Sequence, residues 1–142
     1  MRIFWTDGSA DPNPGPGGYA VLEEIGDTAT PVALGGEPNS TNIRMEGSAL
    51  LAAINEAAGE ECEIHTDSQF WVNVLTKWAP NWKMRGWRTS TGSVKNLDLV
   101  KPLFELYEQG NVELIWVRGH CGTEFNELAD QWANRARRGA RV

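Results

Sequence analysis

Apolar and polar positions along the chain sort into short strand-like and helix-like runs. "RIFWTDGSA" reads as a first strand, followed by "ADPNPGPGG", a Pro/Gly-rich turn or loop. "YAVLEEIG" and "TPVALGG" read as second and third strands, so the first three form an antiparallel meander. In "NSTNIRMEGSALLAAINEAA", polar capping residues precede Met45, Ala49, Leu50, Ala52 and Ala53 at helical spacing, which predicts a first helix. In "CEIHT", Cys62, Ile64 and Thr66 alternate with Glu63 and His65 as a fourth strand that runs into Asp67. "SQFWVNVLTKWA" predicts a second helix capped by Asp67 or Ser68 and stopped before Pro80. "NWKMRGW" is a short helix or turn, and "NLDLVKPLFELYEQG" a helix ending at Gly110, with Pro102 tolerable only near its start or as a kink. "VELIWV" is a fifth strand, and "TEFNELADQWANRARR" a final amphipathic helix with Leu128, Trp132 and Ala136 in register. The order predicts an α/β fold: a five-stranded mixed sheet, its first three strands antiparallel, with helices on both faces.

Composition narrows the setting. The 142 residues fit a single domain, 1–142, large enough to bury a core without staples. No apolar run has transmembrane length, and "MRIFWTDGSA" turns polar too soon for a signal peptide. Two cysteines, Cys62 and Cys121, suggest thiols in a reducing, cytoplasmic compartment. Net charge is −6, yet unevenly spread. Residues 1–76 carry two basic and twelve acidic side chains, while residues 77–101 carry six basic ones against Asp98 alone. An Arg-rich tail over residues 135–142 adds Arg135, Arg137, Arg138 and Arg141 with no acid. Such a chain can set a cationic binding face beside an acidic site.

Four acids occupy positions where a surface charge is not expected. Asp7 lies mid-strand in "FWTDGS", Glu46 one turn into the first helix, Asp67 at the end of the fourth strand, and Asp130 in the last helix. An unpaired charge against a core costs several kcal/mol, on the order of the buried-ion penalty. Residues 1–76 offer only Arg2 and Arg44 as partners. A shared divalent cation would supply the missing charge, and all-oxygen ligands select Mg²⁺ or Mn²⁺ over Zn²⁺. The acids come from four elements, so their convergence cannot be read from spacing.

Five motifs, "TDGSADPNPGPGGYA", "TNIRME", "TDSQF", "NWKMRGWRTSTGSVKNLDL" and "WVRGHCGTEFNELAD", occur in this order along nearly the whole chain, ending at Asp130. Together they resemble type I ribonuclease H, of the bacterial kind with a basic protrusion. The resemblance implies a monomeric, metal-dependent endonuclease that cuts the RNA strand of an RNA–DNA hybrid and leaves 5′-phosphate and 3′-hydroxyl ends. Asp7, Glu46, Asp67 and Asp130 match its metal-binding acids. They would hold two Mg²⁺ ions, replaceable by Mn²⁺, about 3.5–4 Å apart across the scissile phosphate. His120, in the Gly-flanked "GHCG", matches its catalytic histidine, a proton-transfer role suited to an imidazole. The segment at 77–95 matches the basic protrusion, with Lys77, Trp78, Trp82, Lys83, Arg85, Trp87 and Arg88 on the DNA strand. Asn13, Thr41, Asn42 and Gln69 match groove or phosphate contacts, the amides and hydroxyls suited to reading a 2′-hydroxyl. Ile43 departs from the pattern, because the family commonly has a second polar groove-reading residue there.

Other readings fare less well. Cys62, His65, His120 and Cys121 make a conceivable zinc set, but Cys62 and His65 should face opposite sides of one strand. A silent hybrid-binding module would lack one or more of the acids. A resolvase or integrase core would lack "TDSQF", the protrusion and "GHCG" together. The start at Met1 favours a free-standing enzyme over a reverse-transcriptase fragment.

Overall fold

The computed structural model describes residues 1–119 and 124–142. Its strands are β1 (Arg2–Ala10), β2 (Gly15–Ile25), β3 (Thr28–Ser40), β4 (Cys62–Thr66), the two-residue β5 (Arg88–Thr89) and β6 (Gly92–Ser93), and β7 (Val112–Trp116). The helices are α1 (Asn42–Ala57), α2 (Gln69–Asn73), α3 (Ala79–Met84), α4 (Leu97–Tyr107) and α5 (Glu124–Arg137), with one π-helical turn at Val74–Trp78 between α2 and α3. The main sheet runs in the order β3-β2-β1-β4-β7. β1, β2 and β3 pair antiparallel, as the meander predicts, and β4 and β7 run parallel to β1.

β1 is central and apolar on both sides for that reason. Phe4 packs into a large core built from α1, α2 and α4, where Leu50, Ile64, Trp71 and Leu103 are buried. Its neighbour Trp5 faces the other way, into a smaller cluster with Leu22 and Ala129 under α5. Helices thus cover both faces, as expected of a sheet with two apolar sides. α5 gets close because Gly18 has no side chain: a Cβ there would lie 2.2 Å from Arg137 N and 2.5 Å from Ala133 O.

Four details differ from the sequence reading. The helix expected to stop before Pro80 continues through it into α3. Proline lacks an N–H and crowds the carbonyl four residues back. The widened turn meets that demand, since the Ala79 N–H bonds the Val74 carbonyl five residues back. α4 likewise runs through Pro102 in its middle, held by burial of Leu99, Leu103 and Phe104. β2 starts at Gly15 and so takes in part of the stretch read as a turn. The β5–β6 ribbon, Arg88 opposite Ser93 and Thr89 opposite Gly92, was not anticipated, because two residues per strand carry no readable alternation. No helix among the described residues is long and apolar enough to cross a membrane.

Candidate active site

Asp7 sits in β1 opposite Ala20 of β2 and is 7% exposed. Its carboxyl is pushed up to about 9, first by burial, then by the charge of Asp67, then by a hydrogen bond shared with Asp130. Glu46, the fifth residue of α1, is pushed up to about 6, again chiefly by burial, with the charge of Asp67 adding and a hydrogen bond from the Ser68 hydroxyl opposing. Asp67 follows directly on β4, at the carboxyl end of the parallel strands, where open sheets place their ligand sites. The structure thus brings all four predicted acids into one electrostatic group, linked as Asp7–Asp67, Asp7–Asp130 and Glu46–Asp67.

Backbone geometry makes this grouping possible. A Cβ on Gly8 would lie 2.2 Å from the Met45 carbonyl carbon and 2.4 Å from Glu46 N, so only glycine lets β1 abut the start of α1. Ser68 caps α2 by accepting the Trp71 N–H at 3.3 Å, and the same hydroxyl serves Glu46. The cap is readable from sequence, whereas the contact with Glu46 carries no sequence signal. Trp116 Nε1 donates to the Asp67 carbonyl at 3.3 Å and fixes the backbone there. Gly119 also lies against this acid, since a Cβ on it would come within 2.9 Å of Asp67 Oδ2.

Cations of the first half of the chain are engaged elsewhere. Arg2 pairs with Glu23 and Glu60, and Arg44 with Glu37 and Asp98. Among the described residues, the groups that perturb Asp7 and Glu46 include no base. Among the described residues, no three His, Cys, Asp or Glu side chains close around one point as the ligands of a single ion do. The acids are linked pairwise instead. Their chemistry nevertheless fits a hard divalent cation: every donor is a carboxylate oxygen, Asp7 is buried and Glu46 partly so, and burial together with the charge of Asp67 raises the pKa of both. The zinc set does not form around Cys62 and His65. Cys62 is buried in the α1/α4 core, whereas His65 stacks on Trp5 on the opposite face, ring centroids 4.1 Å apart. His120 and Cys121 lie outside the described residues.

Of the expected substrate contacts, Asn13, Thr41 and Asn42 form one network. Asn13 Oδ1 accepts the Asn42 N–H at 3.1 Å, Asn42 Oδ1 accepts the Ala10 N–H at 2.7 Å, and Thr41 Oγ1 caps α1 by accepting the Arg44 N–H. Gln69 is exposed at the first turn of α2. Within the basic segment the side chains divide. Lys77, Arg85 and Arg88 are exposed and make no ion pair among the described residues. Lys83 is held by Glu108 at the end of α4. Trp82 and Trp87 are partly buried against the core, Trp87 edge-on to Phe104. Trp78 is 39% exposed and lies 6.2 Å from Trp82, centroid to centroid. With Ile43, Phe70 and Trp82 it lines a groove of about 470 Å³ under the β5–β6 ribbon.

Comparison with known proteins decides the family. The family model described as RNase H matches residues 1–138. The chain belongs to the ribonuclease H family. A ribonuclease H of Methylorubrum extorquens (strain PA1) is 45% identical over 139 residues, which are 97% of this chain and 60% of that protein. Those of Bordetella pertussis and Pseudomonas paraeruginosa are 44% and 45% identical, and the matches span 90% of each. Among solved structures, that of LC9-RNase H1, a type 1 RNase H with the type 2 active-site motif, superposes with a TM-score of 0.81. It is 26% identical, and the match covers 99% of this chain and 74% of that one. LC11-RNase H1, solved in complex with RNA/DNA hybrid, shares the fold at a TM-score of 0.67 and 20% identity, over 95% of both chains. The mixed five-stranded sheet with flanking helices is the ribonuclease H fold. Membership makes this ribonuclease H a nuclease, a hydrolase of nucleic acid.

Proposed function

We propose that this ribonuclease H is an endonuclease that hydrolyses the RNA strand of RNA–DNA hybrids at Asp7, Glu46, Asp67 and Asp130, with divalent metal. The observation that carries the reading is Asp7: a carboxyl buried at the sheet centre, pushed up to about 9 by burial and two neighbouring acids, with no base among the described residues that perturb it. Buried like charges of this kind are costly and are gathered where a cation is to be held. Two Mg²⁺ ions, or Mn²⁺ in their place, would supply Lewis-acid stabilisation of charge on the phosphate and lower the pKa of a water.

The residues of the chain do the rest. Asp7 and Asp67, on adjacent parallel strands, anchor the ligand set, and Glu46 and Asp130 reach it from helices on opposite faces. Ser68 orients Glu46, and Trp116 holds the backbone of Asp67. The reaction forms a bond from a water oxygen to phosphorus and breaks the bond to the ribose 3′-oxygen. That oxygen takes a proton, so the ends are 5′-phosphate and 3′-hydroxyl. His120 is assigned the proton transfer. The network of Asn13, Thr41 and Asn42, with Gln69, reads the groove. Lys77, Arg85 and Arg88 hold DNA phosphates, beside the Trp78 indole on the sugar. Ile43 adds an apolar wall where a polar reader would hydrogen-bond.

Labelled RNA presented as hybrid, as RNA duplex and as single strand, with Mg²⁺, Mn²⁺ or chelator, tests the reading. Cleavage of the hybrid alone, only with metal and leaving 3′-hydroxyl ends, is expected. An intact hybrid in both metals would overturn it.

A further inference from the structure

The rim at the carboxyl end of the sheet carries a second feature that hydrolysis does not use. The last eight residues hold Arg135, Arg137, Arg138 and Arg141 and no acid, in a chain of net charge −6. α5 delivers this charge to the rim in steps. Asp130 meets Asp7. One turn on, the Ser9 hydroxyl donates to Asn134 Oδ1 at 3.4 Å. Then the backbone of Arg137 abuts Gly18, which is the register partner of Ser9. Two helical turns thus separate the catalytic acid from the arginines, about 10 Å along the axis.

There Arg137 and Arg141 line a pocket of about 270 Å³ with Pro16, Gly17, Gly36, Glu37 and Pro38. Arg141 Nη1 donates to the Ala136 and Ala140 carbonyls, which fixes its side chain across the end of α5. Arg137 Nη2 donates to Asn134 Oδ1 at 3.4 Å, and its Nε is buried with no hydrogen-bond partner among the described residues. The acid of the pocket, Glu37, is already engaged by the Ser40 hydroxyl and by Arg44. Paired guanidinium groups with donor capacity left over match a phosphate oxyanion.

Placement selects which phosphate. The basic segment at 77–95 packs with the α1/α4 core, α5 lies on the opposite face, and the four acids stand between them. We propose that Arg137 and Arg141, with the exposed Arg138 next to them in the chain, form a second phosphate grip, on the RNA strand of the hybrid, on the side of the acids away from the basic segment. The grip rests on the hybrid-nuclease reading above. About 10 Å is on the order of a few base steps at 3.4 Å per strand, so the phosphates held lie about two to three nucleotides from the bond cut.

The test is a triple variant, Arg137→Gln, Arg138→Gln and Arg141→Gln, beside the matching Arg→Lys set, assayed on hybrid at several salt concentrations. The Gln set is expected to raise KM about tenfold at moderate salt and to flatten the log–log salt dependence by about two to three, with Lys recovering most of both. Arg137 and Arg141 also pack at the end of α5, so a second measurement leaves the protein untouched. Neutral methylphosphonates replace single phosphates of either strand. In the RNA strand, two to three nucleotides from the cut, they should weaken the wild type by a similar factor and leave the Gln set unaffected. A Gln set with wild-type KM and salt slope, or RNA-strand neutralisation that weakens both proteins equally, would overturn the grip. Coupling to the DNA strand would overturn its assignment to RNA. If the wild type cuts no hybrid, the nuclease reading itself fails; if it cuts and the Gln set matches it, only the grip fails.

Discussion

Asp7 is 7% exposed at the centre of a five-stranded sheet, whereas Arg85 and Arg88 stand in solvent, Arg88 on a ribbon of four paired residues and Arg85 just before it. Both regions are charged, but they are charged under opposite constraints. The acids repel one another, and burial magnifies the repulsion, so the scaffold must force them together through strand register, the bare backbone of Gly8 and the cap at Ser68. The basic segment needs no such force. Its tryptophans Trp82 and Trp87 build the platform, and Lys77, Arg85 and Arg88 extend from it. The difference is that a buried group of like charges has to be held by position, while an exposed cationic segment is carried by charge and tolerates looseness.

Substitutions separate the two regimes, beginning with the largest effect. Asp7→Asn should lower hybrid cleavage by at least about 10³-fold, in keeping with the loss of a charge-stabilising group at a reacting centre. It should also raise the metal-free stability at pH 8 by about 1–3 kcal/mol, since folding no longer has to protonate a carboxyl that is ionised in the unfolded chain. Initial rates and melts in chelator read both, and a variant that loses activity and stability together would contradict the electrostatic account. Gly8→Ala should cost about 2–4 kcal/mol by pushing β1 off α1, measured by denaturant unfolding.

The pH dependence comes next in size. Asp7 and Glu46 both have raised folded pKa values, so the metal-free folded form binds more protons than the unfolded chain between about pH 4 and pH 9. Their stabilising contribution is therefore complete below about pH 4. It is lost as pH rises through about 6 for Glu46 and on to about 9 for Asp7. In chelator, Tm should fall across this window, and Mg²⁺ or Mn²⁺ should restore it more strongly at the alkaline end. A Tm in chelator that climbs from pH 5 to pH 9 would break this account.

The basic segment should give smaller and differently shaped effects. Arg85→Gln with Arg88→Gln should raise KM several-fold, reduce the salt slope by about one to two, and move stability by less than about 0.5 kcal/mol. Lys83→Gln, at a half-exposed pair with Glu108, should move stability by less than about 1 kcal/mol and KM less than the arginine pair does. A KM effect of Lys83 larger than that of both arginines would redraw the division between platform and grip.

Much of this was legible in the sequence, for physical reasons that differ by element. β1, β4 and α1 announce themselves by apolar periodicity, and Asp7, Glu46, Asp67 and Asp130 by interrupting it. Their meeting was not legible, because it depends on β1 lying between β2 and β4 and on Gly8 admitting α1. The helix through Pro80 escaped because the remedy is a widened turn with no compositional mark. Lys83 and Trp87 read as substrate contacts beside Arg85 and Arg88; only the tertiary packing turns one toward Glu108 and the other toward Phe104. Ser68 was readable as a cap and not as the donor to Glu46, a contact that joins residues far apart in the chain.

Calorimetric titration of Mn²⁺ into the wild type and Asp7→Asn at pH 7.5, repeated in buffers of different ionisation enthalpy, measures both metal affinity and the protons released. If the carboxyl group around Asp7 keeps its proton until a cation arrives, wild-type binding will release about one proton, and the variant will bind far more weakly and release fewer. Equal binding by both proteins, or wild-type binding without proton release, would contradict a cation site built from these acids.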